Sequence, residues 1–144
     1  TSGRKVIIDL LRQRSRPYLF SNTLAPAIAY TSIKVLDLLN QTSELRERLL
    51  ENASYFRTSI GDRGFEIKPG IHPIVPIMLY DAKLAQAMAR DLLDEGIYVI
   101  SFSYPVVPQG HARIRVQVSA THTQEQLEQC VEAFARVGKK YGVV

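Results

Sequence analysis

"IYVISFSYPVVPQGHARIRVQV", residues 97–118, decides how this chain folds. Two β-rich runs, 97–102 and 113–118, flank a stretch that holds Pro105, Pro108 and Gly110. Proline fixes φ and glycine opens the left-handed region, so the middle is predicted to be a rigid loop between two strands. The second run alternates. Ile114, Val116 and Val118 fall on one side, Arg113, Arg115 and Gln117 on the other. One apolar and one polar face predict a sheet packed on one side only.

The neighbours of that stretch supply the packing layer. Downstream, Thr123 and Gln126 form a capping box for a helix whose stripe is Leu127, Val131, Phe134, Val137 and Tyr141. Upstream, Asp81 caps a helix with Leu84, Met88 and Leu92 inward, stopped at Gly96. Before it, Phe65–Lys68 and Ile74–Tyr80 read as strands parted by "PGIHP". Ser43 caps a further helix with Leu45, Leu49, Asn52 or Ala53, Phe56 and Ile60 on its stripe, and Gly64 closes it. The order β-β-α-β-β-α predicts an α+β domain over 43–144, a small, mostly antiparallel sheet covered by helices.

Residues 1–42 are predicted to be a helical lead-in. Val6, Ile7, Leu10 and Leu11 have helical spacing up to Pro17, which ends that helix. Thr23–Asn40 reads as the next helix, with Thr23 as its cap and Pro26 in its first turn. It is apolar almost all round, with only Lys34 and Asp37 charged. A helix of that kind needs cover on most sides, so a partner surface is expected there.

Composition narrows the function classes. The 144 residues are 46% hydrophobic and 22% charged, which suits one globular domain with a core. No run reaches the length of a membrane span, and no secretory signal pattern opens the chain. Cys130 is the one cysteine; it lies on the stripe of the last helix and reads as packing. His72, His111 and His122 lack zinc-type spacing, so no metal is expected. The net charge of +4 suits an anionic partner without naming it. Arg12, Arg14 and Arg16, and Lys139 with Lys140, equally suit the negative ends of helices.

Two places can carry chemistry. The face Arg113–Arg115–Gln117 is either solvated or a clamp for carboxylate or phosphate, for which arginine's planar fork is suited. In "RPYLFSNTLAPA", residues 16–27, Ser21 and Asn22 stand just ahead of a helix start. They either close a turn or donate to an anion near the helix's positive end. An RNA-binding sheet is disfavoured, because the polar face of 113–118 shows no ring for base stacking. A small-ligand regulatory module without catalysis stays open as an alternative.

"RPYLFSNTLAPA", "EGIYVISFSYPVVPQGHARIRVQVSATHT" and "CVEAFARVGKKYGV" together resemble the C-terminal part of the α-oxoamine synthases, pyridoxal-phosphate enzymes of the type I aminotransferase fold. The resemblance covers essentially the whole chain. Within the family, the "PYLFSN" and "YPVVPQGHARIRVQVSATHT" runs favour the member that condenses glycine with acetyl-CoA to 2-amino-3-oxobutyrate and CoA, over siblings such as amino-oxononanoate synthase. The resemblance implies that Ser21 and Asn22 reach the cofactor phosphate of the other subunit in a homodimer. It implies that Arg115 binds the carboxylate of the amino acid, and it gives Arg113 no such role. It also implies a large domain ahead of this stretch. The family's Schiff-base lysine would lie there, since none of Lys5, Lys34, Lys68, Lys83, Lys139 or Lys140 sits in its motif. This stretch is therefore expected to hold no catalytic residue and to be inactive alone. The implied compartment is the cytoplasm of a bacterium, the favoured case, or the mitochondrial matrix of a eukaryote.

Overall fold

Strand β3, Ala112–Gln117, is the centre of a three-stranded antiparallel sheet, with β1, Ile74–Tyr80, on one side and β2, Ile100–Phe102, on the other. The structure is a computed structural model that describes residues 2–144. Its helices are α1 (Lys5–Arg14), α2 (Arg16–Phe20), α3 (Pro26–Gln41), α4 (Glu44–Asp62), α5 (Ala82–Asp94) and α6 (Gln124–Lys140). Contacts divide the chain into two compact units, with the boundary between Thr42 and Ser43.

The second unit, Ser43–Val144, is the predicted α+β layer. The alternation of β3 puts Ile114 and Val116 in the core, while Arg113 and Arg115 are half-buried and Gln117 exposed. Helix α5 packs on all three strands and against α6, which packs in turn on α4. Phe56 and Ile60 from α4, Val75 and Ile77 from β1, Met88 and Leu92 from α5, Ile114 and Phe134 are all fully buried. Each such side chain contributes about 1.5–3 kcal/mol by leaving water. Phe65 meets Phe134 edge to face, with ring centroids 5.8 Å apart.

The predicted helix ends are largely in place. Asp81 accepts from the Leu84 amide at 2.7 Å, and Thr123 with Gln126 forms a full capping box. Gly64 has φ +90°, and the Phe65 amide behind it donates to the Ile60 carbonyl, closing α4 as a left-handed cap. Ser43 does precede α4, but its hydroxyl donates to the Glu47 carboxylate and leaves the first-turn amides without a side-chain cap.

Two strands are shorter than their sequences suggest. Of Phe65–Lys68, only Ile67 forms a bridge, to Ile77 on β1. The pairing does not extend into a ladder, though Met78 still donates to the Glu66 carbonyl at 2.8 Å. Of residues 97–102, only Ile100–Phe102 pair with β3. The Ile97 amide instead donates to the Leu92 carbonyl and ends α5, so the chain joins the sheet late.

The first unit, which ends at Thr42, departs further. Helix α1 stops at Arg14, before Pro17, but Pro17 itself lies in the first turn of α2, which its fixed φ suits. A five-residue helix leaves no periodic signal to read. Thr23 is not a cap. Helix α3 begins at Pro26, the extended Ala25 (φ −56°, ψ 135°) is its N-cap, and no side chain caps it. A proline at the first helical position biases the residue before it towards extended geometry, and this places the boundary. No residue of α1, α2 or α3 is buried. Among the described residues no helix is long and apolar enough to cross a membrane.

Candidate functional site

Arg115 lies in the middle of the central strand, opposite Pro76 on β1 and Ile100 on β2. Both neighbours are apolar. Its guanidinium carbon stands 4.1 Å from the centroid of the Phe102 ring. At that distance the cation lies over the ring in a close cation–π contact. Among the described residues the side chain makes no hydrogen bond or ion pair. The in-plane N–H donors are therefore open, in the fork that matches a carboxylate.

Arg113, on the same face, differs. Its Nε donates to the His111 carbonyl at 3.0 Å, which ties it to its own loop. Two arginines of one polar strand face thus have different environments. One is tethered through an edge donor, the other supported from its face with all donors available.

Ser21 follows α2 as its C-cap, extended at φ −86°, ψ 157°, and its amide donates to the Pro17 carbonyl at 3.0 Å. The Ser21 hydroxyl and the Asn22 amide group are exposed and have no side-chain partner among the described residues. Neither closes a turn through its side chain. The uncapped first turn of α3 follows a few residues on. A hydroxyl and a side-chain amide can each donate to the oxygens of a phosphate. Ser21 and Asn22 belong to the first unit and Arg115 to the second.

Phe102 was not legible as part of a site from the strand it supports, because Arg113, Arg115 and Gln117 show no ring among themselves. The usable signal lay in the preceding run. Residues directly opposite in an antiparallel pair share a face, so pairing "ISF" with "ARIRVQ" brings Ile100 and Phe102 beside the arginines.

Other polar features resolve into structure. His72 and His122 each accept a backbone amide through Nδ1, at 3.0 and 3.2 Å. Burial pushes the Cys130 thiol up to about 11, which leaves it un-ionised and a poor nucleophile, in keeping with packing. A shallow groove of about 560 Å³ runs along α3 past Ala27, Ile28, Val35 and Leu36. The hydroxyls of Thr31 and Ser32 in it bond back to the Ala27 and Ile28 carbonyls at 2.8 Å, so the groove presents an apolar flank.

The chain is similar to known proteins along its length. The chain is 56% identical over all 144 residues to the 2-amino-3-ketobutyrate coenzyme A ligase of Escherichia coli (strain K12), covering 36% of that protein. It is 49% identical over its full length to the mitochondrial protein of that name from Mus musculus, covering 35% of it. Among solved structures, serine palmitoyltransferase from S. paucimobilis with bound PLP-myriocin aldimine superposes with a TM-score of 0.86 at 31% identity, over 94% of this chain and 35% of that one. The chain thus spans about a third of the length of the relatives it matches. The family profile for aminotransferase class I and II matches residues 1–134, and the chain belongs to that family.

Proposed function

We propose that this chain is the C-terminal part of a pyridoxal-phosphate-dependent acyltransferase that condenses glycine with acetyl-CoA to 2-amino-3-oxobutyrate and CoA, a step on a threonine-degrading route. The observation that carries the reading is the Arg115 guanidinium, stacked on Phe102 with its edge donors open. A group so held grips a planar carboxylate through two parallel N–H donors and fixes the orientation of the amino acid behind it. Two relatives that bear the ligase name, bacterial and mitochondrial, support this choice among pyridoxal-phosphate chemistries. The compartment would follow the lineage, cytoplasm for a bacterial protein and mitochondrial matrix for a eukaryotic one.

When bound, pyridoxal phosphate supplies an electron sink for charge that develops at the α-carbon of the amino acid. The donors at Ser21 and Asn22 fit its phosphate and would hold it across the interface of a homodimer. Residues 1–42 would then serve as a lead-in that joins a large domain and the dimer interface, and 43–144 as the small domain that carries the substrate arginine.

The test uses the full-length protein. Arg115→Lys keeps the charge and loses the fork, so the KM for glycine rises and kcat falls. Arg115→Ala lowers kcat/KM for glycine by about 10²-fold or more, while the KM for acetyl-CoA moves far less. Arg113→Ala, the control on the same face, has a much smaller effect. Equal and small effects of both alanine substitutions would make this strand face an ordinary solvated surface.

A further inference from the structure

We propose that Phe102 is a positioning residue, a ring platform that presents the Arg115 fork to the α-carboxylate of the substrate. The proposal rests on the reading of Arg115 given above and deepens it.

An arginine must meet two conditions to bind a carboxylate with both prongs. Its guanidinium plane has to be fixed, and its edge donors have to stay free. Hydrogen bonds fix the plane by using those donors, as Arg113 illustrates with its Nε bond to the His111 carbonyl. A ring under the flat face fixes the plane and uses none. Arg115 has the ring, at 4.1 Å, and no hydrogen bond among the described residues.

The sheet explains how the ring gets there. Phe102 ends β2 and pairs directly with Arg113, while Ile100 pairs with Arg115. Its ring therefore reaches Arg115 along the diagonal of the ladder, within range for aromatic side chains. Of the two arginines beside it, the one with open donors is the one it supports. Phe102 is half-buried.

The test is a double-mutant cycle in the full-length enzyme. Phe102→Leu removes the ring and keeps an apolar side chain. The KM for glycine should rise about 3- to 30-fold, roughly 0.7–2 kcal/mol at 1.4 kcal/mol per tenfold, with the KM for acetyl-CoA unchanged. Phe102→Tyr keeps the ring and should stay within about twofold of the parent. In an Arg115→Ala background, Phe102→Leu should have no further effect on glycine kinetics, because no guanidinium remains to hold. An equal loss in both backgrounds overturns the proposal, and so does an equal rise in both KM values, since each marks a general structural role. A Phe102→Leu enzyme with unchanged glycine KM, beside an impaired Arg115→Ala enzyme, overturns the platform and leaves the arginine standing. An Arg115→Ala enzyme with normal glycine kinetics removes both.

Discussion

Helices α3 and α6 are nearly equal in length, 16 and 17 residues, and opposite in behaviour. Helix α6 is the more polar of the two, yet it buries Leu127, Val131, Phe134 and Val137 along one stripe. Helix α3 is apolar on nearly every side and has no buried residue. Ile28, Ile33, Leu36 and Leu38 are each more than half exposed. Apolar content therefore does not make a core. A stripe matched to a facing surface does, and α6 has that surface in α4 and α5.

That contrast breaks first under core truncation. Phe134 is fully buried, so Phe134→Ala is expected to destabilise the chain by about 3–5 kcal/mol in urea unfolding. Leu36→Ala, at 59% exposure, is expected to shift the same transition by less than about 0.5 kcal/mol. A large effect of Leu36→Ala in this chain would show that α3 has a partner surface here after all.

Two glycines measure how tightly the second unit is packed. A Cβ on Gly138 would lie 2.6 Å from Phe65 Cζ and 2.8 Å from Val144 Cγ2. Gly138→Ala must displace a ring that packs on Phe134, and should cost about 1–3 kcal/mol. Gly61 sits near the end of α4 with nothing within 4 Å of an added Cβ. Gly61→Ala should stabilise by about 0.4–1 kcal/mol through the unfolded chain alone. The same substitution thus has opposite signs, and reversal of either would show a looser or tighter core than the distances imply.

What could be read from the sequence follows the same division. In the second unit, periodicity and caps report local physics that tertiary structure then uses, so Asp81, the Thr123 box and the Ile114–Val116 alternation were legible. The overreach came where pairing depends on a distant edge, as at 65–68 and 97–99. In the first unit, boundaries depend on proline geometry at Pro17 and Pro26, and apolar periodicity is blind to it. The candidate site was half legible. The alternation offers Arg113 and Arg115 alike and only the resemblance separates them, while Ser21 with Asn22 read as spare donors before a helix. Phe102 needed the register of β2 on β3, which no single strand contains.

Caps give the next, smaller contrast. Thr123 accepts from the Gln126 amide, and Gln126 in turn accepts from the Thr123 amide. Thr123→Ala should lose about 1 kcal/mol of stability. Thr23, which caps nothing, should tolerate alanine with no measurable change in the same unfolding assay.

The smallest effect expected is that of the ion pairs which join α5 to α6, and pH reveals it. Lys140 donates to Asp91 at 2.7 Å, and Arg136 to Glu95 at 2.6 Å. The bond from Lys140, then one from Tyr141, holds the Asp91 carboxyl below its ordinary value of 3.8; the bond from Arg136 holds Glu95 below 4.5. A carboxyl whose folded pKa is depressed stabilises the fold above its ordinary value, and loses that contribution as pH falls through the lowered one. The partner Lys140 is raised above 10.5, so its share is present below that value and lost as pH rises through the raised one. All four groups are partly in water, which screens them. Urea midpoints of Asp91→Asn with Glu95→Gln should therefore fall slightly at neutral pH and converge on the parent only as pH falls through the lowered carboxyl values, flattening the acid limb. Added salt should narrow the gap at neutral pH. An acid limb identical in slope to that of the parent would mean that α5 and α6 are held together by Met88, Leu92, Phe134 and their neighbours alone.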